Sequence, residues 1–309
     1  GNSVVLKPAR ATPLTALALA QCFVDAGLPD GVLNVITGAG GELGDALVSD
    51  SRVRKISFTG STATGTHISR IAGVKKLSLE LGASSPVVVL PDADLELTTR
   101  AVALGGYINS GQVCISVQRV IVHEKIKDEF LNALQPLVEK IKVGDPKADG
   151  IEVGTLINVK EATRVSQSIN NAVKSGAKLI TGGEQDGSIV TPAIVSEVDP
   201  NSAIAQDELF GPAVVVSTAT STKQALEFAN STPYGLGSGI FTRDVDSAIQ
   251  AAREIDSGII HINWTPLWRA DLMPYGGLKA SGIGKEGVRS AIEEMTEVKT
   301  IILHGRAWN

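Results

Sequence analysis

Two residues of this chain could do covalent chemistry together: Cys114 in Gly111-Gln112-Val113-Cys114, and Glu80 in Leu79-Glu80-Leu81-Gly82. A cysteine thiolate can bond to a carbonyl carbon, and a carboxylate can activate the water that later releases the product. The pairing points to aldehyde oxidation. Each residue also has an ordinary explanation. A free cysteine is commonly a small buried hydrophobe, and Cys22, set among Ala and Leu in the run Leu14–Asp25, reads as packing. Cys114 instead follows the polar, glycine-containing approach Asn109-Ser110-Gly111-Gln112, where a substrate can come close to the backbone. Alternation in Lys76–Leu81 puts Leu77, Leu79 and Leu81 on one face of a strand, with Ser78 and Glu80 on the other. On such a strand a glutamate is ordinarily the wet side.

The elements that must position these residues alternate between short apolar strands and helices. Strands are expected at Ser3–Leu6, Gly31–Ile36 and Lys55–Phe58, with helices at Leu14–Ala26 and Glu42–Ser49. Beyond about Ala83 the expected helices are Leu95–Ile108, Ile126–Ile141, Lys160–Ser175, Lys223–Asn230 and Asp244–Glu254. Strands are expected at Arg119–His123, Ala213–Ser217 and Gly258–Asn263. Alternation of this kind predicts α/β architecture with a parallel, doubly wound sheet. No internal repeat or low-complexity tract interrupts it.

Composition fits a soluble enzyme. At 309 residues and 43% hydrophobic content the chain can bury two sizeable cores. A net charge of −5 and 4% aromatic residues argue against nucleic-acid binding. Two cysteines make no disulfide framework and favour a reducing compartment. No apolar run reaches membrane-spanning length and no signal-peptide pattern opens the chain, so the expected location is cytoplasmic, without a membrane partner. The four histidines are scattered without metal-ligand spacing, so no metal is expected.

Six motifs occur in order: GNSVVLKPA at 1–9, FTGSTATG at 58–65, LELG at 79–82, GQVC at 111–114, DELFGP at 207–212 and PYGGLKASG at 274–282. In order and spacing they resemble the aldehyde dehydrogenase superfamily over essentially the whole chain. The resemblance implies a partial Rossmann-like cofactor domain at 1–82, an α/β catalytic thiol domain at 83–280, and a carboxy-terminal helix and oligomerisation-type strand at 281–309. It further implies that the family's amino-terminal segment, with an oxyanion-stabilising asparagine, is missing. This chain is then a fragment, and the intact protein is a homodimer or homotetramer.

The resemblance also assigns roles. Cys114 is the nucleophile, and Glu80 activates the hydrolytic water, which favours hydrolysis over transfer to coenzyme A. Lys7 contacts the adenine ribose, Gly60 and Ser61 the pyrophosphate, and Glu208 the nicotinamide ribose. Phe210 packs near the nicotinamide, and Gly82 belongs to the same cofactor site. Taken alone, Ser61 reads equally as a helix N-cap, Glu208 as a turn carboxylate and Phe210 as core. Gly282-Ile283-Gly284-Lys285-Glu286-Gly287 matches G-x-G-x-x-G, but no βαβ unit follows it, so it is expected to be a turn into a helix. Many NAD-preferring relatives carry a glutamate three residues after the lysine, whereas this chain has Arg10, so the cofactor is expected to be NADP or NAD, with NADP favoured. Trp264, Trp268 and Arg269 fall in the loop expected to line the substrate entrance. Arg269 suits a small aldehyde with an anionic tail. Two other readings stay open from sequence: a thiol-dependent ester hydrolase, and an inactive binding or assembly module.

Overall fold

The computed structural model describes residues 1–305. Its largest sheet has seven strands, in the order Ile259–Ile262, Gly237–Phe241, Ser85–Val89, Val117–His123, Ala213–Ala219, Ala193–Ser196 and Lys178–Thr181. Neighbours run parallel except for Lys178–Thr181, which closes the edge antiparallel. Strands buried on both faces read as unbroken apolar runs, and Val87-Val88-Val89 and Val120-Ile121-Val122 are such runs. Val87, Val89, Val120 and Val122 point to helices Leu95–Tyr107 and Lys127–Glu139, meeting Val102, Phe130 and Leu134. Val88 and Ile121 point the opposite way, to Ala225 and Leu226 of helix Thr222–Asn230 and Ala251 of Val245–Glu254. Helices therefore cover both faces, as a doubly wound sheet requires.

Local chemistry starts these helices where they begin. Asp94, Asn158, Ser221 and Asp244 each accept the backbone N–H three residues on, satisfying a donor the first helical turn leaves free.

The first part of the chain builds separate strand pairs. Val4–Leu6 lies parallel to Leu33–Val35, and Lys55–Thr59 parallel to Lys76–Glu80. The carboxy-terminal region returns to this second pair: Gly282–Ile283 runs antiparallel to Lys76–Glu80. Gly282 permits this at φ +153°, since a Cβ there would stand 2.1 Å from the Leu79 carbonyl oxygen. Helix Val288–Glu294 follows, with no βαβ unit, so this G-x-G-x-x-G is the expected turn into a helix. Beyond it, 296–305 carry no regular element, and the remainder of the expected oligomerisation-type strand, 306–309, lies outside the described residues.

Two expectations need correction here. Cys22 is exposed, not packed, because helix Leu14–Asp25 buries none of its residues and leaves Leu14, Leu19 and Val24 uncovered. The expected helix Glu42–Ser49 is a π turn at Gly40–Gly44 running into a short helix, Asp45–Ser49. Three glycines in that turn lower helical propensity and favour the wider winding. No described helix is long and apolar enough to cross a membrane.

Candidate active site

The two sheets meet end to end. Lys76–Glu80 finishes at Glu80, and after four connecting residues Ser85–Val89 begins. Segments carrying Gly82, Cys114, Glu208 and Tyr234 converge on the amino ends of the large sheet, facing the carboxyl ends of Lys55–Thr59 and Lys76–Glu80. Carboxyl ends of parallel strands are where open α/β sheets bind ligands.

Cys114 sits in a braced loop. Asn109, Ser110 and Gly111 are consecutive left-handed residues, at φ 51°, 57° and 71°. Ser110 Oγ donates to the Gly154 carbonyl and accepts the Gly154 N–H, both at 3.1 Å, and Gln112 Oε1 accepts the Ile157 N–H at 2.9 Å. Gly111 does admit a close backbone approach, but the visitor is protein rather than substrate. A Cβ there would lie 2.1 Å from the Gly211 carbonyl oxygen, so the loop carrying Glu208 and Phe210 packs directly on the thiol loop. Cys114, Glu208 and Phe210 line one small cavity with Ala83, Val113 and Gln118.

The Cys114 thiol is half-buried against Ala83, Ile115, Leu236 and Tyr275, and its Sγ lies 3.1 Å from the Tyr275 hydroxyl. Burial pushes the thiol above its ordinary value, and the charges of Glu208 and Glu80 push the same way, while the Tyr275 hydrogen bond opposes them.

Glu80 is only 6% exposed: the returning segment packs against its side chain, with Gly276 beside Oε1, while Gly282–Ile283 pairs with its backbone at the sheet edge. Its Oε2 has no hydrogen-bond partner. Desolvation, reinforced by nearby Glu286 and opposed by Lys285 and Arg269, raises its carboxyl to about 8. Gly276 makes room for it: a Cβ there would come within 2.8 Å of Glu80 Oε1. A buried carboxyl near neutrality with a free oxygen is equipped to exchange a proton with water.

Glu208 is half-buried, and its carboxyl is raised by desolvation. Its Oε1 accepts the Ala83 N–H at 3.0 Å, and a Cβ on Gly82 would stand 2.6 Å from its Oε2. Gly82 therefore leaves the space that Glu208 occupies. Phe210 is 41% exposed, with φ +48°, so the ring faces the cleft rather than the core. Gly60 and Ser61 are exposed at the start of helix Thr62–Ile71, and Ser61 is its N-cap, its Oγ accepting the Thr64 N–H at 3.3 Å. Lys7 is half-buried and donates to the Pro8 carbonyl, while Arg10 is exposed.

The structure separates the three loop residues. Trp264 packs against the large-sheet core, and Trp268 is 56% exposed, edge-on to His261. Arg269 reaches inward, pairing with Glu286 at 3.1 Å and lying 4.2 Å over the Tyr275 ring.

Sequence reasoning missed Tyr275, although it stands within PYGGLKASG; a hydroxylated aromatic inside a glycine-rich motif was the available signal. It also missed Arg119, 3% exposed, whose guanidinium donates to the carbonyls of Ser84, Phe228 and Ala229 and is pulled down to about 10 by burial. Arg119 ties down the connection that follows Gly82. Ser281 does similar work, donating to the Gly82 carbonyl at 2.8 Å and accepting the Gly235 N–H at 3.0 Å.

Residues 1–301 match the aldehyde dehydrogenase family. The chain belongs to that family. It is 44% identical over 304 residues to 3-sulfolactaldehyde dehydrogenase of Priestia aryabhattai, covering 98% of this chain and 64% of the relative. It is 39% identical over 308 residues to lactaldehyde dehydrogenase of Methanococcus aeolicus, covering 98% and 66%. Among solved structures, glyceraldehyde-3-phosphate dehydrogenase of Methanocaldococcus jannaschii complexed with NADP superposes with a TM-score of 0.95 at 39% identity, covering 98% of this chain and 67% of that one. The chain thus spans about two thirds of the length of these relatives.

Proposed function

We propose that the protein oxidises a small aldehyde to its carboxylate with NADP or NAD through covalent catalysis at Cys114. The observation that carries this reading is the convergence of the Cys114 thiol, the cavity-lining Glu208 and Phe210, and the buried, unpartnered Glu80 carboxyl at the junction of two sheets. The division into residues 1–82, 83–280 and 281–309 is proposed with it: the first part holds the cofactor, the second holds the thiol, and the third returns to pair with the strand that carries Glu80.

The residues present suit a dinucleotide. The amides opening helix Thr62–Ile71 and the exposed Gly60-Ser61 turn offer donors for a pyrophosphate. Gly82, lacking a Cβ, leaves the Glu208 carboxylate free to accept from a ribose hydroxyl, with Phe210 beside it. Lys7 and Arg10 follow the Val4–Leu6 strand, where a lysine and a guanidinium suit the adenine ribose and an attached phosphate. Bound there, the nicotinamide supplies a hydride acceptor.

Cys114 Sγ attacks the aldehyde carbon, and the Cys114 backbone N–H is the donor this chain offers to the developing oxyanion. Loss of hydride from the thiohemiacetal leaves an acyl thioester on Sγ. Glu80 takes a proton from water, the hydroxide adds to the thioester carbon, and the C–S bond breaks to return the thiol and release the carboxylate. The burial that raises Glu80 to about 8 keeps a basic carboxylate in a water-poor site.

Cofactor choice is assigned to Arg10. Arg10→Glu is expected to lower the ratio of kcat/KM for NADP to that for NAD by roughly tenfold or more, since it replaces an attraction for the 2′-phosphate with a repulsion. An unchanged ratio would remove Arg10 from this role.

Substrate choice is assigned to Arg269, with the exposed Trp268 at the entrance and Trp264 anchoring the loop on the sheet core. A guanidinium has five donors, so pairing with Glu286 leaves capacity for a carboxylate, phosphate or sulfonate tail. Arg269→Ala is expected to raise KM for an anionic aldehyde by roughly tenfold to a hundredfold while changing KM for a neutral aldehyde far less. Equal changes for both would make Arg269 a support for Tyr275 alone.

A further inference from the structure

We propose that the Tyr275 hydroxyl is a catalytic group, donating a hydrogen bond to the Cys114 thiolate and holding Sγ in position to attack. The inference rests on Cys114 being the nucleophile. The thiol needs such help because burial, Glu208 and Glu80 all oppose its ionisation, and only Tyr275 and the thiol's own backbone amide favour it. Tyr275 Oη lies 3.1 Å from Sγ in a side chain that is 4% exposed. A buried hydroxyl requires a partner, and among the described residues Sγ is the side-chain partner it has.

Apolar packing alone does not account for that hydroxyl. The ring sits with Ala83, Ile115 and Leu236, a cluster phenylalanine would fill equally well. The surroundings instead fix and polarise the phenol. The Tyr275 N–H donates to the Glu286 carbonyl at 3.1 Å, and the Glu286 N–H to the Tyr275 carbonyl at 2.6 Å, which sets the backbone. Arg269 lies 4.2 Å over the ring and is held there by Glu286, placing positive charge against the π face and strengthening the O–H as a donor. The Glu80 charge acts on both the thiol and the phenol and disfavours ionisation of each, so the carboxylate assigned to deacylation lies in the same electrostatic neighbourhood as the Tyr275–Cys114 pair.

The test is the pH dependence of alkylation at residue 114 by iodoacetamide in the intact enzyme. It is carried out in a Cys22→Ser background, because Cys22 is exposed and would otherwise report as well. Tyr275→Phe is expected to move the midpoint of that profile upward by about one pH unit and to slow alkylation below it about tenfold, the loss of one hydrogen bond to a charged group. An unmoved midpoint in a folded Tyr275→Phe protein whose Cys114 is still alkylated would overturn the role of Tyr275 and leave Cys114 as nucleophile. Failure of wild-type Cys114 to react at any pH, with the protein folded, would overturn both. If Tyr275→Phe does not fold, Tyr275→Trp and Arg269→Met supply the comparison. The Arg269→Met profile is expected to shift upward by a smaller amount, and no shift in either variant would overturn the inference.

Discussion

Cys114→Ala is expected to abolish aldehyde-dependent formation of reduced nicotinamide in the intact enzyme, with kcat/KM falling by roughly 10⁴-fold or more, and to abolish thiol labelling at that position. The methyl group cannot bond to the carbonyl carbon, and the other cysteine, Cys22, lies exposed on helix Leu14–Asp25, away from Glu80 and Glu208. The fold should tolerate the change. The sulfur packs on Ala83, Ile115 and Leu236 without being fully buried, so circular dichroism and thermal unfolding should stay close to wild type. Progress curves followed at the nicotinamide absorbance check the first part, and peptide mapping after alkylation checks the second.

Glu80→Gln divides the reaction at a different point. Glutamine fills the same space beside Gly276 but cannot take a proton from water. Acylation should survive, and a rapid-mixing experiment should show a burst of one reduced cofactor per site. Steady-state turnover is then expected to be slower by roughly 10²- to 10⁴-fold. The wild type should also show a pH dependence that the variant lacks. Because the Glu80 carboxyl is raised to about 8, the basic form grows as pH rises, and the deacylation rate should climb through that range and level off above it. Loss of both the burst and the labelling in Glu80→Gln would move Glu80 from deacylation into thiol activation.

Much of the architecture was legible because period and capping agree. Asp94, Asn158, Ser221 and Asp244 are cap residues placed just ahead of apolar-periodic runs, and each helix begins within one residue of its expected start. Strand Gly237–Phe241 went unread because it begins GSG, and glycine argues against a strand unless a backbone approaches closely. That is the case here: a Cβ on Gly239 would meet the Trp264 carbonyl oxygen at 2.5 Å. Cys22 misled because its neighbours are apolar, yet that helix buries none of its residues in the described chain.

In the site, alternation correctly set Glu80 opposite Leu79 and Leu81, but burial of that face depends on the segment around Gly276, far later in the chain, which no local pattern announces. The pairing of Tyr275 with the thiol was hidden for the same reason. Its partner Cys114 is 161 residues away, and only the fold makes the two neighbours.

Covalent catalysis at Cys114 is tested most directly by mass spectrometry of the Glu80→Gln enzyme, quenched in acid after a single turnover with aldehyde and oxidised cofactor. One acyl group per chain is expected, with the mass of the substrate's acyl moiety, carried on the peptide containing Cys114. Stoichiometric reduced cofactor with no acyl group on that peptide, or an acyl group on the peptide containing Cys22, would contradict it.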